Sequence, residues 1–314
     1  MRGARHTVPA PEGGLLRHRE WNIGVVQEPI QAFCRPGHRA NIQWLPAVGG
    51  GRFLADPFAI VRGTQVFVLC EEFDYRSRQG IISAFTLDTS GAPPRATPAI
   101  TPGVHTSYPF TFDFEGETYC VPETARAREI ALYRALEVPA RWVRVGPLVE
   151  DFGGVDNTIF EWDGRWWLMC TGIEDPDGAL HLWHARSPLG PWVPHARNPV
   201  KRDPASARPA GTPFQHQGSL YRPSQDCSST YGGRIAIGRV LALSPTEFRE
   251  EHVTYVEPDV KGPFGQGVHT LSQAGRVTLI DGFRNTFIKE GFRNGLEERA
   301  RQVRSFMSGL FHGA

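Results

Sequence analysis

The sequence predicts an all-β fold, a five-bladed β-propeller carrying an N-terminal tail and a C-terminal α-helix. Three observations predict it: many short apolar strands joined by Gly-containing turns, one strand–turn–strand phrase that recurs along the chain, and a spacing of about fifty residues between its copies.

Residues 1–20 are basic, contain Pro and Gly and lack apolar periodicity, and they read as a flexible tail. From Trp21 onward, short runs of Val, Ile, Phe, Tyr and Trp are interrupted every ten residues or so by Gly, Pro, Asp or Asn, as antiparallel strands are. Gln65–Cys70, Glu117–Val121, Arg165–Cys170 and Arg276–Ile280 are such runs. The turns ahead of them, at Gly63, Gly116, Gly164 and Gly275, place glycine where a positive φ is needed. The propeller is expected over residues 21–285, with Trp21–Val26 as an outer strand that seals the ring against the last blade. Residues 286–314 place Phe287, Phe292, Leu296 and Val303 at helical spacing, which predicts an amphipathic helix docked on the propeller or on a second subunit.

The recurring phrase is a polar residue leading into a strand, a Gly turn, and a second strand ending in a carboxylate. It reads Ala55-Asp56-Pro57-Phe58 with Cys70-Glu71-Glu72, then Ser107-Tyr108-Pro109-Phe110 with Val121-Pro122-Glu123. Next come Val155-Asp156-Asn157-Thr158 with Glu174 and Asp175 just beyond the second strand, and Ala207-Arg208-Pro209-Ala210 with Gln225-Asp226. The last copy is Val268-His269-Thr270 with Ile280-Asp281. The leading positions are 52, 48, 52 and 61 residues apart, and blades are expected to begin near residues 50, 105, 155, 207 and 267.

In a propeller the innermost strands line a central channel, so equivalent strand ends converge on one funnel. The expected ring is Asp56, Tyr108, Asp156, Arg208 and His269, joined by Glu71, Glu72, Glu123, Glu174, Asp226 and Asp281 from the second strands. Chemistry at an anomeric centre needs one protonated acid and one base or nucleophile, and a funnel ringed by carboxylates supplies both. On that logic Asp56, Glu123 and Asp156 are the catalytic candidates. Glu72, Tyr108, Arg208, Asp226, His269 and Asp281 are the substrate-binding candidates.

Composition excludes several classes. Lys and Arg number 34 against 33 Asp and Glu, which gives no reason for a polyanion partner, so no nucleic acid is expected. No apolar run is long enough to span a bilayer, and Arg2, Arg5 and His6 are not followed by a hydrophobic segment, so a cytoplasmic protein is expected. The five cysteines are scattered without a C-x-x-C pair, which predicts reduced thiols and no zinc site. No cofactor and no metal are expected, apart from room for an oxygen-ligated structural cation in the axial channel.

Taken together, Asp56-Pro57-Phe58, Ser107-Tyr108-Pro109-Phe110, Pro122-Glu123-Thr124, Asp156-Asn157-Thr158-Ile159-Phe160, Gly190-Pro191-Trp192, Arg208-Pro209-Ala210-Gly211 and Tyr221-Arg222-Pro223-Ser224-Gln225-Asp226 resemble the propeller domain at the N-terminus of glucosamine inositolphosphorylceramide transferases. The resemblance covers the chain from about Trp21 to Asp281. More distantly, Asp56-Pro57 is similar to the Asp-Pro that opens five-bladed arabinanase, xylosidase and invertase-type glycoside hydrolases, which implies a base or nucleophile at Asp56. Those hydrolases place a further Asp where this chain has Tyr108, and no motif assigns the general acid; Glu123 is the chemical candidate.

The expectation is therefore a carbohydrate-active protein that cleaves or transfers a glycosidic bond of an intracellular glycoconjugate. A non-catalytic sugar- or glycolipid-binding module and a protein-binding scaffold are the alternatives.

Overall fold

The computed structural model describes residues 17–88 and 92–287. They form five antiparallel sheets arranged as blades around one axis. Blade I contains β3 (Arg52–Arg62), β4 (Gln65–Asp74), β5 (Gln79–Thr86) and β6 (Thr97–Ile100). Blade II contains β7 (Ser107–Phe114), β8 (Glu117–Glu123), β9 (Glu129–Glu137) and β10 (Arg141–Glu150). Blade III is β11 (Gly154–Trp162), β12 (Arg165–Gly172) and β13 (Asp175–Ala185), with two short outer pieces, β14 (Val193–Pro194) and β15 (Lys201–Arg202), both paired to β13. Blade IV is β16 (Phe214–His216), β17 (Ser219–Asp226), β18 (Arg234–Ser244) and β19 (Glu247–Val256).

Blade V joins the two ends of the chain. Its order from the axis outward is β20 (Leu271–Ala274), β21 (Val277–Phe287), β1 (Arg17–Val26) and β2 (Ile42–Trp44). The N-terminal segment thus supplies the third strand and, through β2, the outermost one, where a single sealing strand was expected. Strand β1 also starts four residues before Trp21, because Arg17–Glu20 continue the ladder against Phe287–Arg284. Polar side chains hid that strand: Glu20 pairs with Arg284 at 2.8 Å, and Arg19 donates to the Tyr231 carbonyl at 2.7 Å. At the other end, β21 continues through residues 286 and 287. The rest of the expected C-terminal helix, and with it the expected dimer or peripheral contact, lies outside the described residues; among those that are described, the only helices are two short 3-10 turns, Ile30–Cys34 and Ala125–Ala127.

The first three inner strands begin at Arg52, Ser107 and Gly154, close to the expected starts. The last two begin late, at Phe214 and Leu271, because the chain ahead of them pairs irregularly. Isolated bridges, Pro209 to Ser224, Gly211 to Leu271 and Gly265 to Phe283, and scattered backbone hydrogen bonds hold it there. Gly211 has φ 121°, and a Cβ on it would overlap the Leu271 carbonyl, so only glycine lets blades IV and V approach this closely.

Apolar faces of neighbouring blades pack against each other. Phe58, Tyr108, Phe110, Ile159, Leu168 and Trp183 form one such layer across blades I to III. Val26, Ile30, Phe214, Ile237 and Leu271 join blade IV to blade V. This packing fixes the blade angles and so aims the inner strand ends at the axis.

Candidate functional site

The same local distortion opens the inner strands of blades I, II and III. The ladder slips between Ala55 and Phe58, between Ser107 and Phe110, and between Val155 and Thr158. Within each bulge one residue takes a positive φ: Asp56 at 51°, Tyr108 at 45° and Asp156 at 55°. Asp tolerates this region better than most residues because its short polar side chain bonds locally. The bulge turns that side chain out of the strand alternation.

Asp56 sits in a closed set of hydrogen bonds with blade V. Its backbone N–H donates to Asp281 Oδ2 at 3.1 Å, and its Oδ1 accepts the Thr270 hydroxyl at 2.7 Å. His269 lies between the two carboxylates, with Nδ1 2.7 Å from Asp281 Oδ2 and Nε2 3.7 Å from Asp56 Oδ1. Asp281 Oδ1 also accepts the backbone N–H groups of His269 and Thr270. The Trp21 indole stacks on the imidazole at 3.8 Å. Burial raises the Asp56 pKa to about 6, with His269 pulling it down and Asp281 and Asp156 pushing it up. Burial also opposes charge on His269, yet Asp281 and Asp56 outweigh it and hold its pKa above the ordinary histidine value.

Blade III repeats the arrangement with different partners. The Asp156 N–H donates to Glu123 Oε2 at 3.1 Å, so a carboxylate ending the second strand of one blade holds the bulge of the next, as Asp281 does for Asp56. Asp156 Oδ2 accepts Arg208 Nε at 2.6 Å and Gln225 Nε2 at 2.9 Å. Arg208 reaches on to Asp177 at 3.0 Å and lies over the Tyr231 ring. Burial, followed by repulsion from Asp156, lifts the Glu123 pKa to about 8 against the pull of Arg208.

Glu71, from β4, faces the same centre. Burial, then repulsion from Asp56, Glu123, Asp156 and Asp281 in turn, keeps its pKa well above the usual carboxylate range. His105 Nε2 lies 3.6 Å from Glu71 Oε1, and His105 Nδ1 accepts the Gly80 N–H at 2.9 Å, an arrangement that puts the ring proton on the nitrogen facing Glu71. Burial lowers the His105 pKa to about 4, so this imidazole is neutral at pH 7.

Among the described residues, Asp56, His269 and Asp281 are the one trio whose donor atoms, all within 4.8 Å of one another, can hold a metal ion. Here they satisfy one another and Thr270 through the hydrogen bonds above.

Residues 46–267 match the family model described as glucosamine inositolphosphorylceramide transferase 1, N-terminal. The chain belongs to this family. It is 36% identical over 258 residues to glucosamine inositolphosphorylceramide transferase 1 of Oryza sativa subsp. japonica, covering 76% of this chain and 34% of that protein. The Arabidopsis thaliana protein of the same name is 34% identical over 250 residues, covering 74% and 32%. The chain thus spans about a third of the length of the curated relatives it matches. Among solved structures, a family 117 glycoside hydrolase of Zobellia galactanivorans superposes with a TM-score of 0.54 at 13% identity over 76% of this chain and 88% of that one. An α-L-arabinofuranosidase of Clostridium thermocellum gives 0.51 at 14% identity over 72% and 80%. At such identities the two structures share the propeller fold with this family member, and no more is carried over from them.

Of the residues expected at the site, the fold brings together Asp56, Glu123, Asp156, Arg208, His269 and Asp281. Glu71 joins them. Four others it places elsewhere. Glu174 is exposed, just past the end of β12, and pairs with Arg128 at 2.7 Å. Tyr108 is fully buried; its hydroxyl accepts the Gly211 N–H at 2.6 Å and meets Thr158 at 3.0 Å, a strut from blade II to blades III and IV with no surface left for a ligand. Glu72 turns to Arg52 at 2.9 Å and Ser83 at 2.8 Å, because adjacent residues on a strand face opposite ways and Glu71 takes the inward place. Asp226 pairs with Arg234 at 2.9 Å and caps Ser228, leaving the inward position to Gln225.

Sequence reasoning missed Gln225, Asp177, Tyr231, His105 and Trp21. The alternation along Ser224-Gln225-Asp226 was a usable signal for Gln225. Nothing local marks Tyr231, which the β17–β18 connection folds onto Arg208, or Trp21, which reaches the site only through ring closure.

Proposed function

We propose that the funnel acts on a glycosidic bond of a glycoconjugate, with Asp56 as base or nucleophile and Glu123 as general acid. The observation that carries this reading is geometric: the inner-strand bulges bring Asp56 and Asp156 to one funnel with Glu123, which accepts the Asp156 N–H at 3.1 Å and lies near enough to Asp56 to feel its charge. The direction of the pKa shifts fits it. At pH 7 a group at about 6 is mostly ionised and one at about 8 mostly protonated, the division of labour that cleavage or transfer at an anomeric centre requires. In this scheme Glu123 gives its proton to the leaving oxygen, while Asp56 takes a proton from the attacking hydroxyl or water, or itself attacks the anomeric carbon. His269, braced by Asp281, orients Asp56; Arg208 fixes Asp156 beside the acid. The relatives' name, which joins a glucosamine transferase to an inositolphosphorylceramide, supports a glycolipid or related glycoconjugate as substrate. A cytoplasmic setting belongs to the same proposal.

A second reading, a sugar-binding module without chemistry, is favoured by one specific observation: Asp56 is 5% exposed and Asp156 2%, each already engaged by neighbours. The two readings separate on Asp56→Asn and Glu123→Gln assayed with aryl glycosides and nucleotide-sugars. An enzyme loses roughly a hundredfold to ten-thousandfold in rate with ligand affinity nearly intact. A binding module shows no turnover in any variant and a weaker Kd, and that outcome would end the catalytic reading.

A further inference from the structure

A cleft of about 460 Å³ lies between β6 of blade I and β9 and β10 of blade II, outside the carboxylate ring. Its volume falls within the range of small-molecule sites, roughly 300–1,000 Å³. Two residues of the inner wall are chain neighbours of residues at the funnel. Val104 immediately precedes His105, which faces Glu71, and Thr124 immediately follows Glu123. The outer wall carries Tyr133 and the half-buried Trp142, whose Nε1–H donates to the Pro139 carbonyl at 2.7 Å and so fixes the indole plane. Beside them Arg144 Nη2 holds both oxygens of Glu129, at 2.8 and 2.7 Å. Among the described residues no acceptor is bonded to Arg144 Nε or Nη1.

We propose that this cleft is a subsite for a second hydroxylated ring, the aglycone unit of the glycoconjugate whose scissile bond sits between Asp56 and Glu123. The chemistry fits such a ring. Its apolar face packs on Trp142 and Tyr133, and its hydroxyls bond to the carboxylate and guanidinium of the Glu129–Arg144 pair. Position argues for one continuous ligand, since Thr124 directly follows Glu123 in the chain and His105, next to Val104, reaches Glu71 at 3.6 Å. The identity of the ligand rests on the reading of the funnel given above; the existence of the subsite does not.

The test follows the Trp142 indole N–H resonance of the full chain, assigned with Trp142→Phe, during titration with methyl α-D-glucopyranoside and with myo-inositol, one pyranose and one carbocycle. A saturable shift is expected, with Kd weakened at least tenfold by Arg144→Ala and by Ala127→Trp, the second of which fills the cleft without removing a polar group. Asp56→Asn should leave that Kd within twofold. Cleft binding without turnover on any glycoside would keep the subsite and sink the catalytic reading. Turnover of small aryl glycosides with no Trp142 shift up to the solubility limit of both probes, or a shift that Arg144→Ala and Ala127→Trp leave unchanged, overturns the subsite alone.

Discussion

The Asp281 carboxylate accepts the backbone N–H of Asp56 at 3.1 Å, across the junction where the last blade meets the first. One acidic side chain therefore holds the bulge that presents Asp56, receives His269 Nδ1, and links the last blade to the first at the site. The blade V to blade I junction and the site geometry share this group.

Replacing Asp281 by Asn should leave His269 as a buried cation with one partner fewer, at a cost of about 3 kcal/mol. Because the folded-state pKa of His269 is raised, its stabilising contribution is fully present below the unfolded value of 6.5 and is lost as pH rises through the folded value. The variant should lose stability most at pH 5 to 6 and come closer to the parent at pH 9. Urea midpoints across that range check it; a constant difference at every pH would assign Asp281 a purely geometric role.

Glu123 should make the fold less stable as pH rises. Its carboxyl ionises near 4.5 in the unfolded chain but near 8 in the folded one, so the unfolded state holds fewer protons across that window and gains as pH increases. Glu123→Gln, which has no charge to bury, should flatten the decline between pH 4.5 and 8, read from thermal midpoints. If the site is catalytic, the same group sets an alkaline limb near 8 in the rate profile, and Asp56 an acid limb near 6.

Tyr108→Phe keeps the packed ring and removes only the hydroxyl that accepts the Gly211 N–H. Leaving that buried donor unpaired should cost about 1–3 kcal/mol. Ligand affinity should not change, because Tyr108 has no exposed surface. A loss of affinity at unchanged stability would return Tyr108 to the substrate-binding residues.

The sequence by itself determined the propeller, because the fold rests on a repeated local pattern: strand-length apolar runs, glycine turns and a spacing near fifty residues are all short-range features. The same repeat located Asp56, Asp156, His269 and Asp281, since register within a blade carries each phrase to the same end of the ring. Three things only the tertiary structure decided. Which of Glu71 and Glu72, or of Gln225 and Asp226, faces inward depends on strand register against the bulge, where a shift of one residue exchanges the two faces. Tyr108 looked like its counterparts but became a strut, because Gly211, 103 residues away, offers an amide to its hydroxyl. Trp21 reaches the site only once β1 has paired with β21 and the ring has closed. Local pattern sets where each side chain can point; the partners it meets come from chain segments far apart in sequence, and packing alone brings those together.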